Sequence, residues 1–197
     1  LNEPLLESIQ VMMKARWLPL WFLLALVPVL DAQTCREVVR DSSGRVVETI
    51  ERRTRSDGSV YSVTRDASGR LTGSATTRPA GAAKRTTFRD ASGRLAGAAT
   101  TQATGSASAR TSYRDASGRL AGSAESRSGP GATTQTRFRD ASGRLTGSSA
   151  TRSTHGSLSS TQRDASGRLT GSSSGNGACK TATRVPVPPK PAKPAKK

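Results

Sequence analysis

From Val46 to Glu51 apolar and polar side chains alternate loosely, with Val46, Glu48 and Ile50 falling on one side and Val47, Thr49 and Glu51 on the other. Ser56-Asp57-Gly58-Ser59 interrupts the run and Val60-Tyr61-Ser62-Val63-Thr64 resumes it. An Asp-Gly step between two such runs predicts a β-hairpin. Further along, large apolar residues thin out, and their placement follows a repeat.

The heptapeptide Arg-Asp-Ala-Ser-Gly-Arg-Leu occurs at 65–71, 89–95, 114–120, 139–145 and 163–169, preceded by a worn copy, Arg40-Asp41-Ser42-Ser43-Gly44-Arg45-Val46. Successive Asp residues lie 25, 24, 25, 25 and 24 positions apart. A period this regular marks a repeat array rather than an enzyme core. Within each copy, Asp66, Asp90, Asp115, Asp140 or Asp164 can accept hydrogen bonds from backbone donors two residues on. Gly69, Gly93, Gly118, Gly143 or Gly167 then supplies a positive φ. A type I turn followed by a left-handed Gly is a three-residue hairpin loop with a bulge.

Midway between copies stand further breakers: Pro79-Ala80-Gly81-Ala82, Thr104-Gly105-Ser106, Ser128-Gly129-Pro130-Gly131 and Thr154-His155-Gly156-Ser157. Each unit therefore supplies two strands and two turns. The predicted fold is all-β, a repetitive antiparallel β-hairpin meander of 24–25 residues per repeat.

Register follows from loop length. A three-residue loop places Asp90 opposite Arg94 and sends Phe88 and Leu95 to opposite faces; a four-residue loop makes them cross-strand partners. Turn chemistry favours the first. The position two before Asp holds Val39, Phe88, Tyr113 and Phe138 but also Thr64 and Gln162, and one Leu follows each Gly-Arg. Burying one aromatic and one Leu per unit returns little against about 1 to 2 kcal/mol of backbone entropy per residue, so a unit must be stabilised by its neighbours. The same Ser, Thr, Gly and Arg bias, with 4% aromatics, also admits substantial disorder as the competing reading.

Charge and address change the picture next. Lys and Arg number 31 against 14 Asp and Glu, a net charge of +17. Residues 1–11 read as upstream over-translation ahead of Met12 and Met13. Residues 12–32 read as a signal peptide, with Lys14 and Arg16 ahead of fourteen uncharged residues, Trp17 to Leu30, too short to span a bilayer. The array occupies 33–180, and 181–197 is a Pro/Lys-rich tail, Val185-Pro186-Val187-Pro188-Pro189-Lys190-Pro191 onward, expected to be extended and disordered.

The expected localisation is exported: periplasm, cell surface or medium. The two cysteines, Cys35 and Cys179, bracket the array and are candidate disulfide partners in an oxidising compartment, a pairing that requires the ends to meet. A closed or curled sheet allows this, and a straight meander does not.

The turn Asp90-Ala91-Ser92-Gly93-Arg94-Leu95 resembles the YD repeat of the RHS family, whose units carry Tyr-Asp-x-x-Gly-Arg-Leu and form β-hairpins. In that family the hairpins wrap into large bacterial surface or toxin-encapsulating shells, and some members are described as carbohydrate binding. The likeness implies hairpins, envelope exposure and glycan binding, and covers only the six turn segments. Arg89 stands where the family has Tyr, Phe88 is displaced by one residue, and no toxin domain follows.

Catalysis finds no footing. His155 is the sole histidine, placed in a Gly/Ser turn, and no other base is available to activate a nucleophile. The repeated Asp residues invite a calcium ladder, but each is flanked by two Arg, which favours a turn cap or an Asp–Arg pair over a cation. No cofactor or metal is expected. A transmembrane β-barrel would need an apolar outward face, where these strands offer Thr, Ser, Ala and Arg.

The candidate functional residues are the Arg pairs: Arg65 and Arg70, Arg89 and Arg94, Arg114 and Arg119, Arg139 and Arg144, Arg163 and Arg168. Stacked in register they form cationic rows suited to anionic polysaccharide or lipopolysaccharide. Nonspecific nucleic acid is a second partner of such charge, and self-association through open sheet edges a third. The expected function is that of an exported, noncatalytic binding or structural repeat protein. The alternative is a disordered cationic chain acting by charge on membranes or extracellular DNA.

Overall fold

The turns decide the architecture. In the computed structural model, residues 34–154 and 157–177 are described, so residues 1–33, His155, Cys179 and the tail lie outside the described residues. Twelve strands follow one another: β1 (Thr34–Asp41), β2 (Val46–Thr54), β3 (Val60–Asp66), β4 (Leu71–Ala80), β5 (Ala83–Asp90), β6 (Leu95–Gly105), β7 (Ser108–Asp115), β8 (Leu120–Gly129), β9 (Thr133–Asp140), β10 (Leu145–Thr154), β11 (Ser157–Asp164) and β12 (Leu169–Gly177). Each pairs antiparallel with its sequence neighbours, and β1 pairs with β12, closing an up-and-down barrel.

The three-residue loop is the one adopted. Asp90 N–H donates to the Arg94 carbonyl at 3.0 Å, Gly93 N–H donates to the Asp90 carbonyl at 3.0 Å, and Gly93 has φ +81°. The other five repeat turns have the same bonds at 2.9–3.1 Å. A second irregularity follows the turn: Arg89 pairs with Leu95 but Phe88 with Gly97, so Ala96 is bulged out. The same extra residue recurs after Val46, Leu71, Leu120, Leu145 and Leu169. Such bulges bend and twist the strand that carries them, the curvature a closed wall needs.

Closure follows one repeated contact. Gly73 faces Asp90, Gly97 faces Asp115, Gly122 faces Asp140 and Gly147 faces Asp164 across successive hairpins, and Gly171 faces Asp41 at the junction of last and first strands. The sixth such position holds Glu48, opposite Asp66. Because every hairpin advances on the last by the same step, the six repeat turns stand at one height at one end of the barrel.

The array is thus ordered where disorder was the competing reading. Its strands have partners on both sides, so the open sheet edges expected to support self-association do not exist among the described strands.

Strand alternation sorts the side chains. The position two before Asp points inward: Tyr113 is 2% exposed, packs with Ala99 and Ala124, and is flanked by partly buried Phe88 and Phe138. Leu goes the other way. Leu71, Leu95, Leu120, Leu145 and Leu169 are 40–48% exposed, which corrects the expectation that one Leu per unit is buried. Outward positions of the middle wall are polar, such as Arg110 and Ser112 on β7 and Gln135 and Arg137 on β9. Among the described residues these outward positions do not form the continuous apolar band that a lipid-facing wall carries.

Above the aromatic layer the interior is built from hydroxyls. Thr77 bonds Thr86 and Thr101 bonds Thr111 at 2.8 Å, Ser126 bonds Thr136 at 2.9 Å, and Thr151 bonds Ser160 at 3.1 Å. Each is a directly opposed cross-strand pair. Pairing hydroxyls with each other lets a chain poor in large apolar residues fill its interior without orphaned polar groups.

Among the described residues the hydroxyls of Ser59, Tyr113 and Thr146 break that rule. The Tyr113 hydroxyl is buried without a hydrogen-bond partner, and burial pushes its pKa up. Tyr113→Phe removes that desolvated oxygen while keeping the ring, and should raise stability by about 1 kcal/mol. A thermal melt unchanged or lowered by the substitution would show that the hydroxyl is satisfied in solution.

Candidate anion-binding site

The six repeat turns carry two arginines each, one before Asp and one after Gly. All ten candidate arginines are exposed, from Arg65 and Arg70 to Arg163 and Arg168, and closure gathers them into rings at one end of the barrel. Arg40 and Arg45 of the worn copy complete the rings and are equally exposed. These two were not among the expected site residues, although Arg40-Asp41-Ser42-Ser43-Gly44-Arg45 spelled them out.

The arginine before Asp lies on the outer wall and is held over its own turn. Arg89 Nη1 donates to the Gly93 carbonyl at 2.7 Å, and Arg40, Arg65, Arg114, Arg139 and Arg163 make the same bond at 2.7–3.1 Å. Their cross-strand partners are the exposed aliphatics: Arg89 opposes Leu95 and Arg114 opposes Leu120. The apolar neighbour supports the long Arg stem while the guanidinium stays in water.

Asp serves the turn. Asp90 Oδ1 accepts from Ser92 Oγ at 2.7 Å, from Ser92 N–H at 2.9 Å and from Arg94 N–H at 2.9 Å. Asp41, Asp66, Asp115, Asp140 and Asp164 repeat the pattern. Of the two expectations for these carboxylates, turn cap and Asp–Arg pair, the cap is the one made: the ion pair found among the described residues, Arg52 with Glu37 at 2.7 Å, lies elsewhere.

These bonds hold the Asp carboxyls below their usual pKa. The Ser hydroxyl contributes most, and the backbone N–H of the Arg after Gly also lowers them. A depressed folded-state pKa means that the caps stabilise fully above the unfolded value, 3.8, and that this contribution is lost as pH falls through the lower folded value. The melting temperature should hold from pH 7 to about pH 5 and then fall steeply toward pH 2, six turns weakening together. Asp90→Asn should remove one turn's share of that acid dependence. A melting temperature flat down to pH 2 would sink the cap assignment.

The end of the barrel therefore has twelve exposed guanidinium groups against six carboxylates, and the carboxylates are committed to backbone donors. What remains is positive charge spread evenly around a rim. Compared with protein-family models, curated proteins and solved structures, the chain matches none.

Proposed function

We propose that this is an exported, noncatalytic barrel that binds anionic polymers of the cell envelope, such as acidic polysaccharide or lipopolysaccharide, through its arginine-bearing end. The observation that carries the reading is the gathering of the repeat arginines at one rim, with the neighbouring Asp carboxylates engaged in turn capping. Like charges placed so regularly repel each other, and a polyanion laid across them relieves that cost. Many weak, equivalent contacts on one rigid frame sum through effective concentration.

The leader and tail fit this reading. A signal peptide delivers the chain to the compartment where such polymers occur, and a cationic Pro/Lys tail adds a tether. Pairing Cys35 with Cys179 locks the seam, since Cys35 is buried and faces Gly177, two residues short of Cys179.

The test compares two substitution sets of equal charge in the full chain. Arg94, Arg119, Arg144 and Arg168→Gln removes rim charge; Arg85, Arg110, Arg137 and Arg152→Gln removes the same charge from the exposed middle wall. Binding to lipopolysaccharide and to heparin should fall roughly 10- to 100-fold for the rim set and only slightly for the wall set. Equal losses would show that bulk charge suffices, and tighter binding to duplex DNA than to either glycan would favour nucleic acid as the partner.

A further inference from the structure

We infer that the first and last hairpins carry a size-and-charge key that fixes closure at twelve strands. The need for one arises from the repeat itself. The Gly-faces-Asp contact that joins hairpins is the same at Gly73, Gly97, Gly122, Gly147 and Gly171. Asp41 on β1 could therefore meet Gly147 on β10 as well as Gly171 on β12, closing a smaller barrel and expelling the last hairpin. Repeated contacts cannot choose between these closures.

The layer above does choose. At four positions before Asp and four after Gly the inner hairpins place hydroxyl pairs, Thr77 with Thr86 through Thr151 with Ser160. The equivalent place at the seam holds Glu37 on β1 opposite Gly175 on β12, and the equivalent place on β2 holds Arg52. Glu37 is fully buried and paired with Arg52 at 2.7 Å.

Beside them β1 and β2 contribute buried Cys35 and Ile50, while the buried inward positions of β12 are Gly171, Ser173 and Gly175. Large side chains on the first hairpin meet the smallest on the last. Closure on β10 would instead set Thr151 against Glu37, filling the room that the ion pair needs and stranding a buried charge. A misplaced buried charge is heavily penalised, and the best-attested use of a buried ion pair is to specify register.

The test is hydrogen exchange and amide NMR on the full chain carrying Cys35→Ala and Cys179→Ala, so that no disulfide holds β1 to the last hairpin. The variant Glu37→Thr, Arg52→Thr, Gly175→Thr makes the seam uniform with the other junctions. Amide protection across Ser172–Asn176 should then fall on the order of a hundredfold relative to β6, with doubled resonances for the last hairpin as it exchanges between closures. The charge swap Glu37→Arg, Arg52→Glu keeps the pair and should retain a single set of resonances and wild-type protection of β12.

A uniform variant with one set of resonances and undiminished β12 protection overturns the inference. Should the uniform variant fail to fold, the swap decides: a folded swap protein with a protected seam supports the key, and a swap protein that also fails removes the pairing of charge as its basis.

Discussion

Replacing both Cys35 and Cys179 with Ala is expected to lower the melting temperature by roughly 10 to 15 °C. The proposed tie closes a loop running from β1 to beyond β12, and loop-closure entropy for so long a loop is worth about 4 to 5 kcal/mol. The effect acts through the unfolded state. In the folded barrel β1 and β12 already meet over seven paired residues, from Cys35 with Gly177 to Asp41 with Gly171, so the disulfide would secure an existing junction. In the unfolded chain it would forbid the ends from separating. No described cysteine is free, and Cys35 is buried beside the inward end of Arg52. Two titratable thiols in the denatured, unreduced protein would defeat the pairing, as would a double variant that melts with the wild type.

Local chemistry was legible in the sequence because it is short-range. Asp90, Ser92, Gly93 and Arg94 lie within five residues, so their hydrogen bonds could be anticipated from turn geometry, and with them the opposite facing of Phe88 and Leu95. Strand count followed, because the second turns, at Gly58, Gly81 and Gly131 among others, recur between the first. Closure was not legible. It depends on Gly171 meeting Asp41 across 129 intervening residues, and nothing near either residue announces the contact.

The interior was misjudged for a related reason. An expectation built on apolar burial gave one aromatic and one Leu per unit to the core; Phe88, Tyr113 and Phe138 do pack there, but cross-strand Ser/Thr pairs fill the remaining space and Leu supports the outer arginines. As for the candidate site, rows of arginine could be read from the repeat, but a ring exists only once the sheet closes. Glu37, Ile50 and Arg52, which set the first unit apart, carry no local signal that marks them, and they pack on β1 and β2 beside the seam.

Gly122→Ala should cost about 3 kcal/mol, the upper end of the range for overpacking, and lower the melting temperature by about 6 to 12 °C. Gly122 lies between Tyr113 on β7 and Asp140 on β9, at the point where β8 makes its closest approach to the next hairpin. A Cβ there would stand 2.5 Å from the Arg139 carbonyl oxygen and 3.5 Å from its carbon. Those atoms are backbone in a continuous ladder, so relief requires moving β9 and the turn it carries, not a side chain.

The control lies on the same strand. At Gly129 the nearest atom to an added Cβ is the Thr133 carbonyl oxygen at 3.8 Å, an ordinary contact, and Gly129→Ala should change stability by under about 1 kcal/mol, since Ala loses less entropy than Gly on folding. Paired thermal melts of the two variants separate contact from composition, and equal melts would refute the close-approach argument. The same clash recurs at Gly73, Gly97, Gly147 and Gly171, each against the carbonyl of the arginine that precedes the facing Asp. Each junction thus sets the position of a rim arginine through its backbone, so a side chain added inside the barrel should displace the charge presented outside it. Rim binding measured on Gly122→Ala at a temperature where it remains folded would read that displacement directly, through loss at Arg139 and Arg144.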